Sequence, residues 1–128
     1  MNGLHLIADL YRCRCNADLL VDRATLETVC VDECSNAGLT PLGSNFYQFT
    51  DDAGEPAGVT GTVVLAESHL AIHTWPETGD VTLDVYVCNF SRDNSDLARA
   101  VYDKILSTLR PFDVVAHQVT RGKIPLPA

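Results

Sequence analysis

The twelve residues Ala66–Glu77, AESHLAIHTWPE, bring several side chains that could carry out chemistry into one short stretch. Two carboxylates, a serine, two histidines and a tryptophan stand in a segment that otherwise has the alternation typical of a half-buried strand. Three interpretations are open. The polar residues are ordinary surface or hydrogen-bonded groups, or His69 and His73 bind a metal, or the segment is a catalytic motif.

The metal interpretation has weak support. Two histidines four residues apart, with Glu67 nearby, form a zinc-binding pattern on a helix, but we expect a strand between Val64 and Trp75. The five cysteines are odd in number and no export signal is evident, which favours free thiols. Their C-x-C and C-x₃-C spacings also differ from the usual structural zinc spacings. We therefore predict no metal; the cysteines are Cys13, Cys15, Cys30, Cys34 and Cys88.

Length and charge limit the classes of function. The 128 residues fit one domain with a single core. A net charge of −8 argues against nucleic acid and anionic membranes as partners and favours a cationic small molecule. No apolar run approaches the ~20 residues that cross a bilayer, so the expected location is the cytoplasm.

Periodicity predicts two one-faced helices and six strands. The first helix, Arg23–Ala37, has Asp22 as its N-cap and Gly38 as its stop, and the second spans Asp96–Leu109. Asp51–Gly58 is predicted to be a loop. The predicted strands are Leu4–Tyr11, 40–49, Val59–Glu67, His69–Trp75, Val81–Cys88 and 112–119. This order predicts an α+β fold, a two-layer α/β sandwich in which a mostly antiparallel sheet carries two main helices on one face. An exposed sheet edge would be available to a second copy.

The motif E-S-H-x-x-I-H-T-W-P-E, with a cysteine twenty residues after its serine, is highly specific. Because it contains this motif, the chain closely resembles the short prokaryotic S-adenosylmethionine decarboxylases, which are pyruvoyl-dependent enzymes of polyamine synthesis. The resemblance covers most of the chain and includes HLIADLYRC, NAGLTPLGSNFYQF and GVTGTVVLAES.

The resemblance implies self-processing. In this family the proenzyme cuts itself between the positions that match Glu67 and Ser68, which would give fragments 1–67 and 68–128 of one domain. The serine hydroxyl attacks the preceding carbonyl, and elimination then leaves a pyruvoyl group derived from Ser68. His73 matches the histidine that assists elimination. Thr60 matches a position where the family usually has serine. In a strand, Ser68 and His73 reach neighbouring faces only if the chain bends after the serine.

The resemblance also implies the later chemistry. The pyruvoyl group would serve as the electron sink for loss of carbon dioxide, so that no soluble cofactor is needed. Cys88 matches the family's proton donor, and a thiol with a reference pKa near ~8.5 can supply a proton near neutral pH. Glu77 matches the residue that holds the ribose hydroxyls, Phe49 matches the ring that stacks on adenine, and Leu4 lies where the first strand closes the other side of the base.

The activity implied is conversion of S-adenosylmethionine to its decarboxylated form and carbon dioxide for spermidine synthesis, by a homodimer with sites at or near its interface. Two departures leave alternatives open. The acidic loop after Phe49 contains Asp51, Asp52 and Glu55, and Asp80 follows Glu77 closely. These carboxylates are compatible with a basic amino acid substrate, arginine or ornithine. A third hypothesis is a partner subunit that cannot process itself.

Overall fold

The computed structural model describes residues 2–122, which form six strands and three helices. The strands are β1 (Asn2–Tyr11), β2 (Pro41–Thr50), β3 (Pro56–Leu65), β4 (Ser68–Trp75), β5 (Asp80–Cys88) and β6 (Asp113–Gly122). The helices are α1 (Asp18–Val21), α2 (Arg23–Ala37) and α3 (Ser95–Leu109). No helix within residues 2–122 is long and apolar enough to span a membrane.

The six strands form one sheet in the order β2-β3-β4-β5-β1-β6, and every strand pairing in it is antiparallel. Alternate residues of β5 are buried, namely Val81, Leu83, Val85 and Val87, which is the period-two pattern of a strand covered on one face. The helices pack on that face through buried residues such as Leu26 of α2 and Ile105 of α3. The predicted α+β sandwich is confirmed.

The ends of the main helices follow from their capping residues. The Asp22 side chain accepts a hydrogen bond from the Thr25 backbone N–H at 3.0 Å, and Gly38 ends α2 with φ at 100°. Helix α3 ends where Arg110 takes a left-handed conformation, with φ at 54°. The predicted span of α2 is confirmed, and α3 begins one residue earlier than predicted.

Three local predictions were wrong. The sequence analysis missed α1, a single turn in which the Asn16 side chain accepts from the Asp18 N–H at 3.0 Å. The predicted loop Asp51–Gly58 is shorter, since β3 begins at Pro56, where proline at the first strand position loses no essential hydrogen bond. Glu67 lies in the turn after β3 and not in a strand.

The sheet face opposite the helices, here called the outer face, is uncovered within residues 2–122. Its apolar residues remain partly exposed because no helix packs on them: Phe49 (48%), Val64 (49%), Trp75 (43%), Val115 (44%) and Val119 (40%). Strands β2 and β6 form the two edges. An uncovered sheet face with exposed apolar side chains near both edges is available for packing against another sheet.

Candidate active site

The predicted cleavage position lies at the tip of the β3–β4 hairpin. Ser68 opens β4 directly opposite Leu65, so Ala66 and Glu67 alone make the turn. The Ala66 N–H donates to the Thr40 carbonyl oxygen at 3.0 Å. Glu67 has φ at 65°, a conformation that costs energy for a residue with a side chain. The peptide between Glu67 and Ser68 is therefore held in a tight turn by its neighbours.

Ser68 and Cys88 are brought together by the β4–β5 pairing. Ser68 pairs with Val87, the residue before Cys88, and the Cys88 backbone N–H donates to Ser68 Oγ at 3.3 Å. Both residues are partly exposed. The twenty residues from Ser68 to Cys88 form the β4–β5 hairpin, whose second strand ends beside the start of the first. Val87 pairs on its other side with Leu4 of β1, so Leu4 lies level with Ser68 across the sheet. The Leu4 side chain, however, is buried in the core at 5% exposure.

Thr60 and His73 form a second pair. They stand opposite each other in the β3–β4 ladder, with Thr60 Oγ1 3.1 Å from His73 Nδ1, which is hydrogen-bonding distance. They line a cavity of about 330 Å³ together with Phe49, Ala57, Gly58, Thr74, Trp75 and Glu77. Phe49 packs edge-on against Tyr47, with ring centroids 4.9 Å apart. Four of the predicted site residues therefore share one cavity: Phe49, Thr60, His73 and Glu77.

The Ser68–Cys88 pair and the predicted site residues that line the cavity lie apart within one chain. Strand β4 runs without a break from Ser68 to Trp75, so the bend that would bring His73 towards Ser68 is absent. Leu70, Ile72 and Thr74 point to the buried face. Ser68 has their parity, while His73 has the opposite parity and lies about 16 Å further along the strand. We call Ser68 and Cys88 the serine group, and Phe49, Thr60, His73 and Glu77 the cavity group.

The acidic residues that suggested a basic substrate lie apart from this cavity. Asp51 Oδ1 accepts from the N–H groups of Ala53 and Glu55 at 2.9 and 3.0 Å, which fixes the loop itself. Asp80 Oδ1 accepts from the Arg12 N–H at 3.1 Å. Asp80 does line a separate cavity of about 400 Å³ that also touches Trp75 and Glu77. Asp80 therefore shares a cavity with Glu77, a residue of the predicted site.

The other four cysteines serve in packing. Cys30 and Cys34 are fully buried on the inner face of α2, and burial raises the pKa of the Cys34 thiol to about 11 and that of Cys30 further still. Burial likewise raises the pKa of Cys13 to about 11. Such thiols stay protonated and unreactive near neutral pH. All five cysteines are free, and no cluster of three His, Cys, Asp or Glu side chains suited to a metal occurs within residues 2–122.

The sequence analysis missed several residues around the serine group. Asn94 is buried, at 4% exposure, and its Nδ2 donates to the Cys88 carbonyl oxygen at 3.0 Å. Ser91 Oγ donates to Glu67 Oε2 at 3.1 Å. The only sequence signal for Asn94 was its place just before a helix, a position where asparagine usually serves as an N-cap.

Comparison with known proteins identifies the family. The family model described as S-adenosylmethionine decarboxylase matches residues 4–122. An S-adenosylmethionine decarboxylase proenzyme of Picrophilus torridus is 39% identical over 120 residues, which are 94% of this chain and 84% of the relative. One from Aquifex aeolicus is 42% identical over 120 residues, 94% of this chain and 81% of the relative. The crystal structure of adenosylmethionine decarboxylase from Aquifex aeolicus superposes with a TM-score of 0.83 at 34% identity, covering 98% of this chain and 95% of that one. The chain therefore belongs to the S-adenosylmethionine decarboxylase family.

Proposed function

We propose that this protein is a self-processing decarboxylase that acts on S-adenosylmethionine, releases carbon dioxide and supplies the decarboxylated product for polyamine synthesis. Its catalytic carbonyl would be a pyruvoyl group made from Ser68 after cleavage of the Glu67–Ser68 bond. The relatives are named S-adenosylmethionine decarboxylase proenzymes, and a proenzyme is a chain that must be processed. The observation that carries the proposal is the β3–β4 hairpin, in which a strained Glu67 precedes a serine held by Cys88.

The hairpin suits the cleavage chemistry. Ser68 Oγ would attack the Glu67 carbonyl carbon, and the peptide C–N bond would break as the ester bond forms, with the hydroxyl proton passing to the freed amine. Loss of the Ser68 Cα proton and of the Glu67 carboxylate, followed by addition of water and loss of ammonia, leaves the pyruvoyl group. No oxidant or reductant is needed. A left-handed Glu67 in a two-residue turn raises the energy of the uncut peptide, which favours the shift.

The cavity group suits the nucleoside end of the substrate. A cavity of about 330 Å³ lies within the usual range for small-molecule sites. Phe49 and Trp75 present exposed rings to a base or to the sulfonium charge, and Glu77 supplies a carboxylate that can accept two hydrogen bonds from ribose hydroxyls. The net charge of −8 also attracts a cationic substrate.

The reacting end of the substrate would lie at the serine group. Once formed, the pyruvoyl group supplies a carbonyl that draws electrons away as carbon dioxide leaves. We assign the return of a proton to carbon to the Cys88 thiol: its backbone N–H donates to Ser68 Oγ, and its side chain, which alternates with buried Val87, lies on the outer face at the same end of the sheet. The Thr60 hydroxyl, at hydrogen-bonding distance from Nδ1, fixes the orientation of the His73 ring.

We also propose that each site needs two copies of the chain. One protomer would supply the serine group, and its partner would supply the cavity group, because a single copy separates Ser68 from His73 by about 16 Å along β4, while the Cys88 side chain alternates with buried Val87 and so lies on the outer face, as the cavity group does. The uncovered outer face, with its exposed apolar side chains, provides a surface for sheet-on-sheet packing about a two-fold axis. The dimer expected from the resemblance then has a structural reason.

The two fragments, 1–67 and 68–128, would remain together after cleavage. Three of the strand pairings join one fragment to the other: β1 with β5, β1 with β6, and β3 with β4. Helix α2 of the first fragment also contacts α3 of the second. Cleavage at the hairpin tip therefore breaks no ladder and leaves the core intact.

The test is intact mass spectrometry of the denatured protein. Purified protein would be incubated with equal concentrations of S-adenosylmethionine, arginine and ornithine and a mild reductant that traps substrate amines on carbonyl groups. Two fragments, with an adduct derived from S-adenosylmethionine on 68–128, are the expected result. An uncut chain would contradict the proposal.

A basic amino acid is the second candidate substrate, since Asp80 borders the cavity that touches Glu77 and Trp75. An adduct from arginine or ornithine in the same experiment would retain the pyruvoyl chemistry and establish that candidate. Asp80 Oδ1 already accepts a hydrogen bond from the Arg12 backbone N–H. This favours S-adenosylmethionine over a basic amino acid, because the carboxylate has a structural partner.

A further inference from the structure

Residues 89–95, which are the segment between β5 and α3 together with the first residue of α3, form a polar network beside the serine group. Asn94 is its centre and is almost fully buried. Its Nδ2 donates to the Cys88 carbonyl oxygen at 3.0 Å, its Oδ1 accepts from Arg92 Nε at 2.8 Å, and its backbone N–H donates to Asn89 Oδ1 at 2.8 Å. A buried amide with all these partners holds one conformation, since losing any of them leaves a buried polar group unsatisfied.

Asn94 stands at the N-cap position of α3 without capping it. An asparagine there normally accepts a hydrogen bond from a backbone N–H of the first helical turn. Here the side chain makes no such bond. It turns instead towards Cys88 and Arg92. Helix α3 therefore lacks a side-chain N-cap hydrogen bond, and the Cys88 carbonyl oxygen at the end of β5 accepts one from Asn94 instead.

The same segment reaches the other side of the cleavage position. Ser91 Oγ donates to Glu67 Oε2 at 3.1 Å, and Arg92 Nη2 donates to the Gly38 carbonyl oxygen at 2.8 Å, which ties the segment to the end of α2. Asn94 holds Cys88, whose N–H in turn donates to Ser68 Oγ. The segment therefore contacts the residue before the Glu67–Ser68 bond directly, and the residue after it through Cys88.

We propose that residues 89–95 are a positioning element for self-cleavage, in which Ser91 restrains Glu67 and Asn94 fixes the Cys88 backbone that orients the Ser68 hydroxyl. This inference rests on the proposed self-processing. The acyl shift requires the hydroxyl oxygen and the carbonyl carbon to stay at attack distance, and small displacements reduce such rates strongly. Because Glu67 is a left-handed residue in a two-residue turn, it would relax away from this geometry without an anchor on its side chain.

The test measures the first-order rate of cleavage of newly synthesised chains. Wild-type and variant chains would be made in a cell-free reaction, stopped, and sampled over time by mass spectrometry for fragments 1–67 and 68–128. Ser91→Ala should slow cleavage roughly fivefold, the effect of one lost hydrogen bond. Ser91→Thr keeps the hydroxyl and should restore most of the rate. Ser107→Ala is the matched control, because Ser107 bonds only to the Lys104 carbonyl oxygen of its own helix.

A second variant tests the buried end of the network. Asn94→Asp keeps an oxygen for Arg92 but removes the donor to the Cys88 carbonyl, and it should slow cleavage by about tenfold or more. Asn45→Asp, on the exposed surface of β2, is its control. Circular dichroism would confirm that each variant is folded at the assay temperature.

The outcomes separate the two proposals. If the wild-type chain is not cut, the proposed function fails. If the wild type is cut and Ser91→Ala is cut within about twofold of its rate, the positioning element is refuted while the function stands. Equal slowing of Ser91→Ala and Ser107→Ala would also refute it, since the effect would then be a general loss of stability.

Discussion

Subunit complementation gives a direct test of the two-copy site. His73 and Ser68 lie five residues apart on β4, about 16 Å at the usual rise per residue, and a general base must come within about 3 Å of the proton that it takes. A His73→Ala dimer lacks an intact cavity group in both sites, and a Cys88→Ala dimer lacks an intact serine group in both. Each variant alone should therefore be inactive.

Mixing the two variants should restore activity. In a mixed dimer, one site takes Ser68 and Cys88 from the His73→Ala chain and His73 from the Cys88→Ala chain, so this site is wild type. The other site carries both substitutions. Random pairing makes about half of the dimers mixed, so the mixture should regain about a quarter of the wild-type activity.

The assay is release of carbon dioxide from S-adenosylmethionine by co-expressed, differently tagged chains. Mass spectrometry should also show that the His73→Ala chain is cut in the mixture more completely than alone. Pairing His73→Ala with Glu77→Ala is the control, because both residues belong to the cavity group and no dimer then has an intact site. A mixture of His73→Ala and Cys88→Ala that is no more active than its parents would refute the two-copy arrangement.

Three further predictions concern single residues. Ser68→Ala should leave a single uncut chain on denaturing electrophoresis, and two fragments from this variant would exclude Ser68 as the source of the pyruvoyl group. Cys88→Ala should still give the trapped adduct on fragment 68–128 but lose turnover, and an unchanged rate of carbon dioxide release would remove Cys88 as the proton donor. Gly61→Ala should lower the free energy of unfolding by about 1–3 kcal/mol in urea denaturation, because the new methyl group would overlap the Phe46 ring. Gly43→Ala, which meets open space, is its control and should unfold at the wild-type midpoint.

Much of the fold could be predicted because local signals agreed with the tertiary structure. Asp22 and Gly38 marked the ends of α2, and the predicted strand Val81–Cys88 is confirmed as β5, which begins one residue earlier at Asp80. The α1 turn was missed because it is stabilised by one local side-chain contact, from Asn16, which leaves no periodic pattern. The start of β3 was misplaced because proline and glycine argue against a strand unless its neighbours are known.

The candidate site was also partly predictable from the sequence and partly determined by the tertiary structure. The sequence by itself determined which chemical groups are present, since a glutamate, a serine, a histidine and a cysteine at fixed spacing are visible in one segment and one later position. The tertiary structure decided which of them meet. Pairing of β4 with β5 brings Cys88 to Ser68, and pairing of β3 with β4 brings Thr60 to His73, across sequence separations of twenty and thirteen residues.

Only the tertiary structure also showed that Ser68 and His73, near neighbours in sequence, are apart in one protomer. A straight strand carries residues of opposite parity to opposite faces and separates them by its rise, so closeness in a motif does not ensure contact. The hydrogen bonds of Asn94 and Ser91 could not be predicted either, because bonds from a loop to a hairpin tip depend on how the helices and the sheet pack, and a single sequence has no local pattern that records them.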